Sequence, residues 1–425
     1  MTTTKADKVI LGEGAIYSTD CEVTGINNNV LVVGGSGSGK TMSIAEPRLL
    51  ETLNSSLIVT VTKRRIVNQY KQFFKDKGYL VRDLNFINPK ESTVAYDPLR
   101  YVTSYKDITF LAESIVMADP KKKRANNDPY WDKTATSLLS ALIAYAMMKD
   151  KNASFADVLD LTDSLQIQEG CSHISTSLDE KFDRLAAREP NCFAVSCWRS
   201  FSQLPIKTAS CVFGTLNTEL DTIFTPELRK MIRLPQKTDF KELGNKRTVL
   251  FVSTSAVNPA LHCFINMFYA QAFKTLFEYA ESLPDVKLPV PVHVLCDDFA
   301  TGSRILNFPE YISIFREKKI SVTLLLQSES QLASMYGDDD ATTIINNCDT
   351  YLFMGSMDLR SSRSASERMN VPLEDVLYMP VGQMYIFRRG QRPIVTQRYN
   401  IRNDKLYQFV TSKYGKQATG GEKSR

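Results

Sequence analysis

Short, β-branched apolar runs bounded by turn residues recur along both flanks of this chain and nearly vanish from its middle. They are Val30 to Gly34, Leu57 to Val61, Tyr79 to Leu84, Val249 to Thr254, Val292 to Asp297, Ser321 to Gln327 and Tyr351 to Gly355. Their near-continuous apolar character predicts strands covered on both faces. Helix-length amphipathic segments lie between most of them, among them Ile66 to Lys77, Leu261 to Glu281 and Phe308 to Lys318. That alternation predicts an α/β fold with a mostly parallel central sheet and helices on both faces. A last pair of runs, Gln383 to Arg389 and Pro393 to Tyr399, is split by Gly-Gln-Arg and predicts a terminal hairpin.

From about Tyr105 to Leu234 helical periodicity replaces the strand signal, which predicts an all-helical domain interrupting the sheet domain. Its first long helix, Trp131 to Lys149, places Leu138, Leu139, Leu142, Tyr145 and Ala146 on one packing stripe, with Asp128 and Pro129 at its start. The expected division is a nucleotide-binding domain in two parts, 1–104 and 235–412, a helical insert at 105–234, and a flexible tail at 413–425, where small and polar residues dominate.

The longest largely apolar run, Leu138 to Met148, is shorter than the roughly 20 residues a membrane span needs. The start, MTTTKAD, has neither the basic nor the apolar region of a secretory signal, so an intracellular protein is expected. A net charge of +5 is mild for 425 residues, so contact with nucleic acid would have to come from local patches. Eight cysteines show no CxxC spacing and argue against a zinc site.

The most specific chemistry lies in VLVVGGSGSGKT, residues 30 to 41, an apolar strand running into GxxxxGKT. Backbone N–H groups converge on phosphate oxygens only where no Cβ obstructs them, which accounts for Gly34, Gly35, Gly37 and Gly39 around Ser36 and Ser38. Lys40 is expected to reach the β- and γ-phosphates of ATP. Thr41, opening the next helix, is expected to ligate Mg²⁺. Such a site needs a carboxylate on a neighbouring strand and a group that orients the attacking water. VHVLCDD supplies Asp297 for the metal and Asp298 for the water. Gln327, ending SVTLLLQ, could contact the γ-phosphate or be a plain sheet-end residue.

These landmarks extend into a resemblance to the TraG/TraD-type coupling proteins of bacterial conjugation and type IV secretion. It rests on GGSGSGKT at 34–41, AYDPL at 95–99, Tyr130-Trp131, LCDDFATGSRILNFPEYISIFREKKISVTLLLQSESQL at 295–332, YGDDDATTIINNCDTYLFMG at 336–355 and MYIFRRGQRPI at 384–394. The resemblance implies a RecA-like P-loop ATPase, interrupted by an all-α domain and hexameric when active. It also implies that the protein receives a relaxase-bound DNA strand or an effector protein and delivers it to a secretion channel.

Three features depart from the family's pattern. Asp297-Asp298 stands where Asp-Glu is usual, so the second carboxylate is one methylene, about 1.5 Å, further from the water; a displacement of that size can cost about a hundredfold in rate. The usual DPKGE after the second strand is replaced by Val61, Thr62, Lys63, Arg64 and Arg65. No amino-terminal transmembrane helix is seen, so a cytoplasmic protein docked at the inner face of the membrane through an anchoring partner is expected.

Arg316, in FREKKI, is the candidate for the arginine that ring ATPases present to a neighbour's γ-phosphate, with a surface salt-bridging role as its alternative. Lys121 to Arg124 could touch DNA phosphates, although a solvated loop is the plainer reading because no aromatics interleave. For Lys63, Arg64 and Arg65 a structural role is favoured. The consecutive acids of GDDD at 337–340 lack the spacing of a calcium loop. Two functions follow: an ATP-hydrolysing motor that moves DNA, or an ATP-binding receptor with negligible turnover. An FtsK-like chromosome motor fits the later segments less well.

Overall fold

The computed structural model of the chain describes residues 7–117, 129–168, 175–255, 259–299 and 304–419. The chain divides into two compact units, one formed by Met1–Asn85, Asp239–Ala256 and Ala272–Arg425, the other by Phe86–Thr238 and Val257–Gln271.

The first unit opens with a hairpin, β1 (Lys8–Gly12) and β2 (Ala15–Ser18), that was not expected from the sequence pattern. Its main sheet contains β3 (Val30–Val33), β4 (Ser56–Val61), β5 (Leu80–Asn85), β8 (Thr248–Ser253), β9 (Val292–Cys296), β10 (Ile320–Leu326), β11 (Thr350–Phe353), β12 (Gln383–Arg388) and β13 (Ile394–Gln397). The two intervening strands, β6 (Ile167–Gln168) and β7 (Ser175–Thr176), belong to the second unit. The nine strands lie in the order β13-β12-β11-β3-β10-β9-β4-β8-β5. All neighbours from β11 to β5 are parallel, and β12 and β13 add an antiparallel edge.

Each strand predicted from an apolar run is present, with ends shifted by one or two residues. β3 sits in the sheet interior, and Leu31, Val32 and Val33 are fully buried, as expected for a strand covered on both faces. The sheet's exposed edge at β13 is partly closed by the first hairpin: Glu13 N–H donates to Gln397 O at 2.9 Å, and Thr396 Oγ1 donates to Glu13 O at 2.8 Å.

One expectation fails at the carboxyl end. The tail expected at 413–425 to be flexible begins inside a helix, Lys405–Thr419. Its apolar side packs on the helix Arg64–Asp76, where Tyr414 meets Phe73 edge to face and its hydroxyl donates to Asp76 at 2.6 Å. Val410 is fully buried and Tyr414 nearly so. Two anchors four residues apart hold a segment whose remaining residues read as solvated.

Among its described residues the second unit is mostly helical, with the two-residue strands β6 and β7 and an isolated bridge between Ala95 and Lys237. Its central helix, Pro129–Lys149, buries Leu138, Leu139, Leu142 and Ala146 as the stripe predicts, and Trp198 stacks on Phe182 at 4.1 Å between ring centres. The unit is wider than the insert expected at 105–234. Thr238 N–H donates to Ala95 O at 2.7 Å and Ala95 N–H to Gln236 O at 2.8 Å, tying both connecting segments into this unit. Tyr96 from AYDPL packs against Phe264 and Phe268. Asp97 accepts from Leu99 N–H and from Phe155 N–H, so this segment's role is to bind the helices together.

Among the described residues, no helix is long and apolar enough to cross a membrane.

Candidate nucleotide site at the phosphate loop

β3 delivers the loop Gly34 to Lys40 at the carboxyl end of the sheet, between its neighbours β10 and β11. Both neighbours pin it: Gly34 N–H donates to Leu326 O at 3.1 Å, and Gly35 N–H to Gly355 O at 2.8 Å. Gly34 has no room for a side chain, because a Cβ there would meet Ser38 Oγ at 2.5 Å and Met354 Cβ at 3.0 Å. Gly39, at φ +86°, occupies a backbone region that L-residues avoid, and it turns the chain into the following helix. That helix opens with a wide turn, in which Glu46 N–H reaches back to Thr41 O.

Lys40 is nearly buried and lies back along its own loop, donating to Gly34 O at 2.5 Å and Gly35 O at 3.1 Å. Burial pushes its ammonium below the ordinary lysine range, while Asp298 and Asp297 pull it back up. A cation resting on two loop carbonyls is placed to exchange them for phosphate oxygens.

Thr41 and Asp297 are 256 residues apart in sequence and meet here. Thr41 Oγ1 donates to the Asp297 carboxylate, 3.3 Å from Oδ2 and 3.5 Å from Oδ1. The strand order causes this: β9, which ends at Cys296, lies two strands from β3 with β10 between them. Burial, then the neighbouring Asp298, raises the Asp297 carboxyl to about 6. This carboxylate is short of positive charge, and a divalent cation beside Thr41 would supply it. Magnesium uses one or two carboxylates together with phosphate oxygens. Ser38 Oγ is buried in the same loop with no hydrogen-bond partner, a further polar atom that a phosphate oxygen would satisfy.

Asp298 follows directly, with a left-handed backbone at φ +54°. Gln327 lies at the end of β10, between the loop strand and the acid strand, and is exposed. Arg316 is far from this group. It precedes β10, and together with Ser55, Pro291 and Ser321 it lines a cavity of about 810 Å³ at the amino ends of the strands, opposite the loop. Its guanidinium reaches Cys21 O at 3.5 Å.

Other charged segments resolve into structure. Arg64 forms a two-pronged pair with Asp83 at 2.7 and 2.8 Å, and Arg65 pairs with the fully buried Glu46, which also accepts from Tyr70. The basic replacement of DPKGE therefore anchors a helix. Asp338 and Asp340 pair with Arg360 and Arg304 at the start of the helix Asp338–Asn346. Lys121 to Arg124 lie outside the described residues.

The sequence pattern did not single out Arg398, which follows β13. Its guanidinium stands over the phosphate loop, with Nη1 3.6 Å from where a Cβ on Gly39 would lie. Nothing in the local pattern of an edge strand marks it, since its position depends on three strand pairings.

The same architecture occurs in solved proteins. The bacterial conjugative coupling protein TrwBdeltaN70, in a trigonal form with sulphate, shares 17% identity at a TM-score of 0.63, covering 94% of this chain and 91% of that one. Plasmid coupling protein TrwB in complex with the ATP analogue ADPNP gives 16% and 0.63, covering 94% and 90%. VirB4 of Thermoanaerobacter pseudethanolicus gives 12% and 0.57, covering 96% and 100%. No curated protein sequence matches the chain. The fold is thus that of the RecA-like TrwB proteins, with a large, mostly parallel sheet. The family described as type IV secretory system conjugative DNA transfer matches residues 1–369. With that match spanning both the phosphate loop and the acid strand, the chain belongs to the conjugative DNA transfer family of type IV secretory systems, the TraG/TraD-type coupling proteins.

Proposed function

We propose that this chain is an ATP-hydrolysing coupling protein that receives a relaxase-bound DNA, single- or double-stranded, or a protein substrate, and delivers it to a type IV secretion channel. It works as a ring of six copies, docked at the inner face of the membrane through an anchoring partner. The observation that carries this reading is the meeting of Thr41 and Asp297 beside Lys40, since nothing in the packing of the sheet requires a hydroxyl, a carboxylate and an ammonium together there. TrwB, of like fold, has been solved with ADPNP and with ADP and Mg²⁺.

In this reading the backbone N–H groups of Gly37 and of Gly39 to Thr41 cradle the phosphates, and Lys40 leaves its two carbonyls for the β- and γ-phosphate oxygens. Thr41 and Asp297 would hold Mg²⁺, and the ion would supply positive charge against the transferred phosphoryl group. Asp298 accepts a proton from, and orients, the attacking water. Gln327 reports loss of the γ-phosphate to the segment after β10. Arg316 lies at the opposite end of the sheet from its own loop, so any part it takes in hydrolysis would be at a neighbouring copy's phosphate, with a surface role as the alternative. The short side chain of Asp298 favours a second reading, a receptor that binds ATP, orders its ring and turns over negligibly.

Thermal unfolding with and without Mg·ATP tests the nucleotide reading. Wild type gains stability by ligand binding to the native state, and Lys40→Ala does not. Equal gains would place the phosphate site elsewhere.

A further inference from the structure

Among the described residues no acidic side chain pairs with Arg398, whose guanidinium lies beside the phosphate loop. Its backbone N–H donates to Gly382 O at 2.8 Å, which fixes the residue at the end of the antiparallel edge. From there the side chain runs back toward β3. One guanidinium nitrogen, Nη2, donates weakly to Met354 O at 3.4 Å, while Nη1 and Cδ lie 3.6 and 3.7 Å from the Cβ position of Gly39. Nε is buried and has no hydrogen-bond partner.

Among the inward-lying arginines of this unit, Arg64 pairs directly with Asp83, while the more buried Arg48 and Arg388 also leave Nε unpartnered but feel the charge of Asp7 and Asp349 respectively. Burial alone acts on Arg398, and it pushes the guanidinium below its ordinary range. A partly buried guanidinium with one long hydrogen bond and an idle N–H is unfavourable by itself. It becomes favourable when an anion arrives, and a bound phosphate chain would bring that anion to the loop beneath it.

We propose that Arg398 is a nucleotide-contacting residue acting within its own chain: a second cation of the site that donates to the phosphate chain alongside Lys40. The proposal rests on the reading of residues 34–41 as a nucleotide loop. It also gives the antiparallel edge a function. β12 and β13 carry a charged side chain from the far edge of the sheet to a loop three strands away, so occupation of the loop is felt at the terminal hairpin.

Binding of Mg·ADP and Mg·ATP to the full chain, by titration calorimetry, tests this with Arg398→Gln, Arg398→Lys and Lys40→Ala, beside thermal unfolding without nucleotide. Loss of a charge-assisted contact predicts that Arg398→Gln binds both nucleotides about tenfold to a hundredfold more weakly. Arg398→Lys should recover part of the loss. The nucleotide-free melting temperature of Arg398→Gln should equal or exceed that of wild type, because an uncompensated cation is gone. A nucleotide-free protein destabilised by several degrees in both Arg398 variants would make the residue structural and overturn the proposal. So would wild-type affinity in Arg398→Gln while Lys40→Ala fails to bind, and that result leaves the loop reading intact. Wild-type affinity in Lys40→Ala would overturn both.

Discussion

Replacing Asp297 with Asn removes a charge that the nucleotide-free protein holds at a cost. Burial and Asp298 raise the wild-type carboxyl to about 6, whereas in the unfolded chain it titrates near 3.9. Between those values the native state keeps a proton that the unfolded state has released, so wild-type stability falls as pH rises through this window, and above about pH 6 the whole penalty is present. A difference of roughly two pH units corresponds to about 3 kcal/mol at most, and partial access of water to the half-buried group reduces it to about 1–3 kcal/mol. Asn keeps an acceptor for the Thr41 hydroxyl and carries no charge. Asp297→Asn should therefore melt several degrees above wild type at pH 7.5 without nucleotide, at about 2–4 °C per kcal/mol for a unit of this size, and the two curves should converge near pH 4. Differential scanning calorimetry from pH 4 to 8 measures both. Adding Mg²⁺ with ADP should reverse the order, because only the wild type offers a carboxylate to the metal, and its response should weaken about tenfold per pH unit below pH 6. An Asn variant no more stable than wild type at pH 7.5, or a difference independent of pH, would refute this account of the site's electrostatics.

Three further outcomes follow from the same geometry. Asp298→Glu should raise single-turnover hydrolysis about tenfold to a hundredfold if reach alone limits the wild type, and Asp298→Asn should lower it with little change in ATP affinity; a wild-type rate in Asp298→Asn would remove the residue from the chemistry. Arg65→Met leaves Glu46 buried with only Tyr70 for company and should cost about 2–3 kcal/mol in urea unfolding, whereas a change under about 0.5 kcal/mol would show that the pair is solvated. Tyr414→Ala removes a buried ring and the hydrogen bond to Asp76, so it should destabilise by about 3 kcal/mol and detach the last helix in hydrogen exchange; unchanged protection of residues 405–415 would contradict the packing described.

The parallel sheet was legible because its strands are covered on both faces, and that requirement writes unbroken apolar runs such as VLVV into the chain. The phosphate loop was legible because glycines are forced wherever backbone must approach an anion. Asp297 could be paired with it because the chemistry demands a carboxylate at a strand end. The first hairpin was missed, although Gly12-Glu-Gly14 between two alternating runs is a hairpin signal; the segment buries only part of its surface, so its apolar pattern is short. The limits of the helical unit were missed because Val94 to Leu99 is apolar for contacts with Phe264 and Phe268, distant in sequence. The last helix reads as tail because two anchors, Val410 and Tyr414, hold it. Arg398 had no local signature at all.

In the proposed function, Lys40, Thr41 and Asp297 form one Mg·ATP site whose turnover serves DNA transfer. Steady-state phosphate release by the full chain, with and without single-stranded DNA, tests it most directly against Lys40→Ala. Wild type should release phosphate measurably and faster with DNA, and the variant should fall to background. Release by Lys40→Ala equal to that of wild type would contradict it.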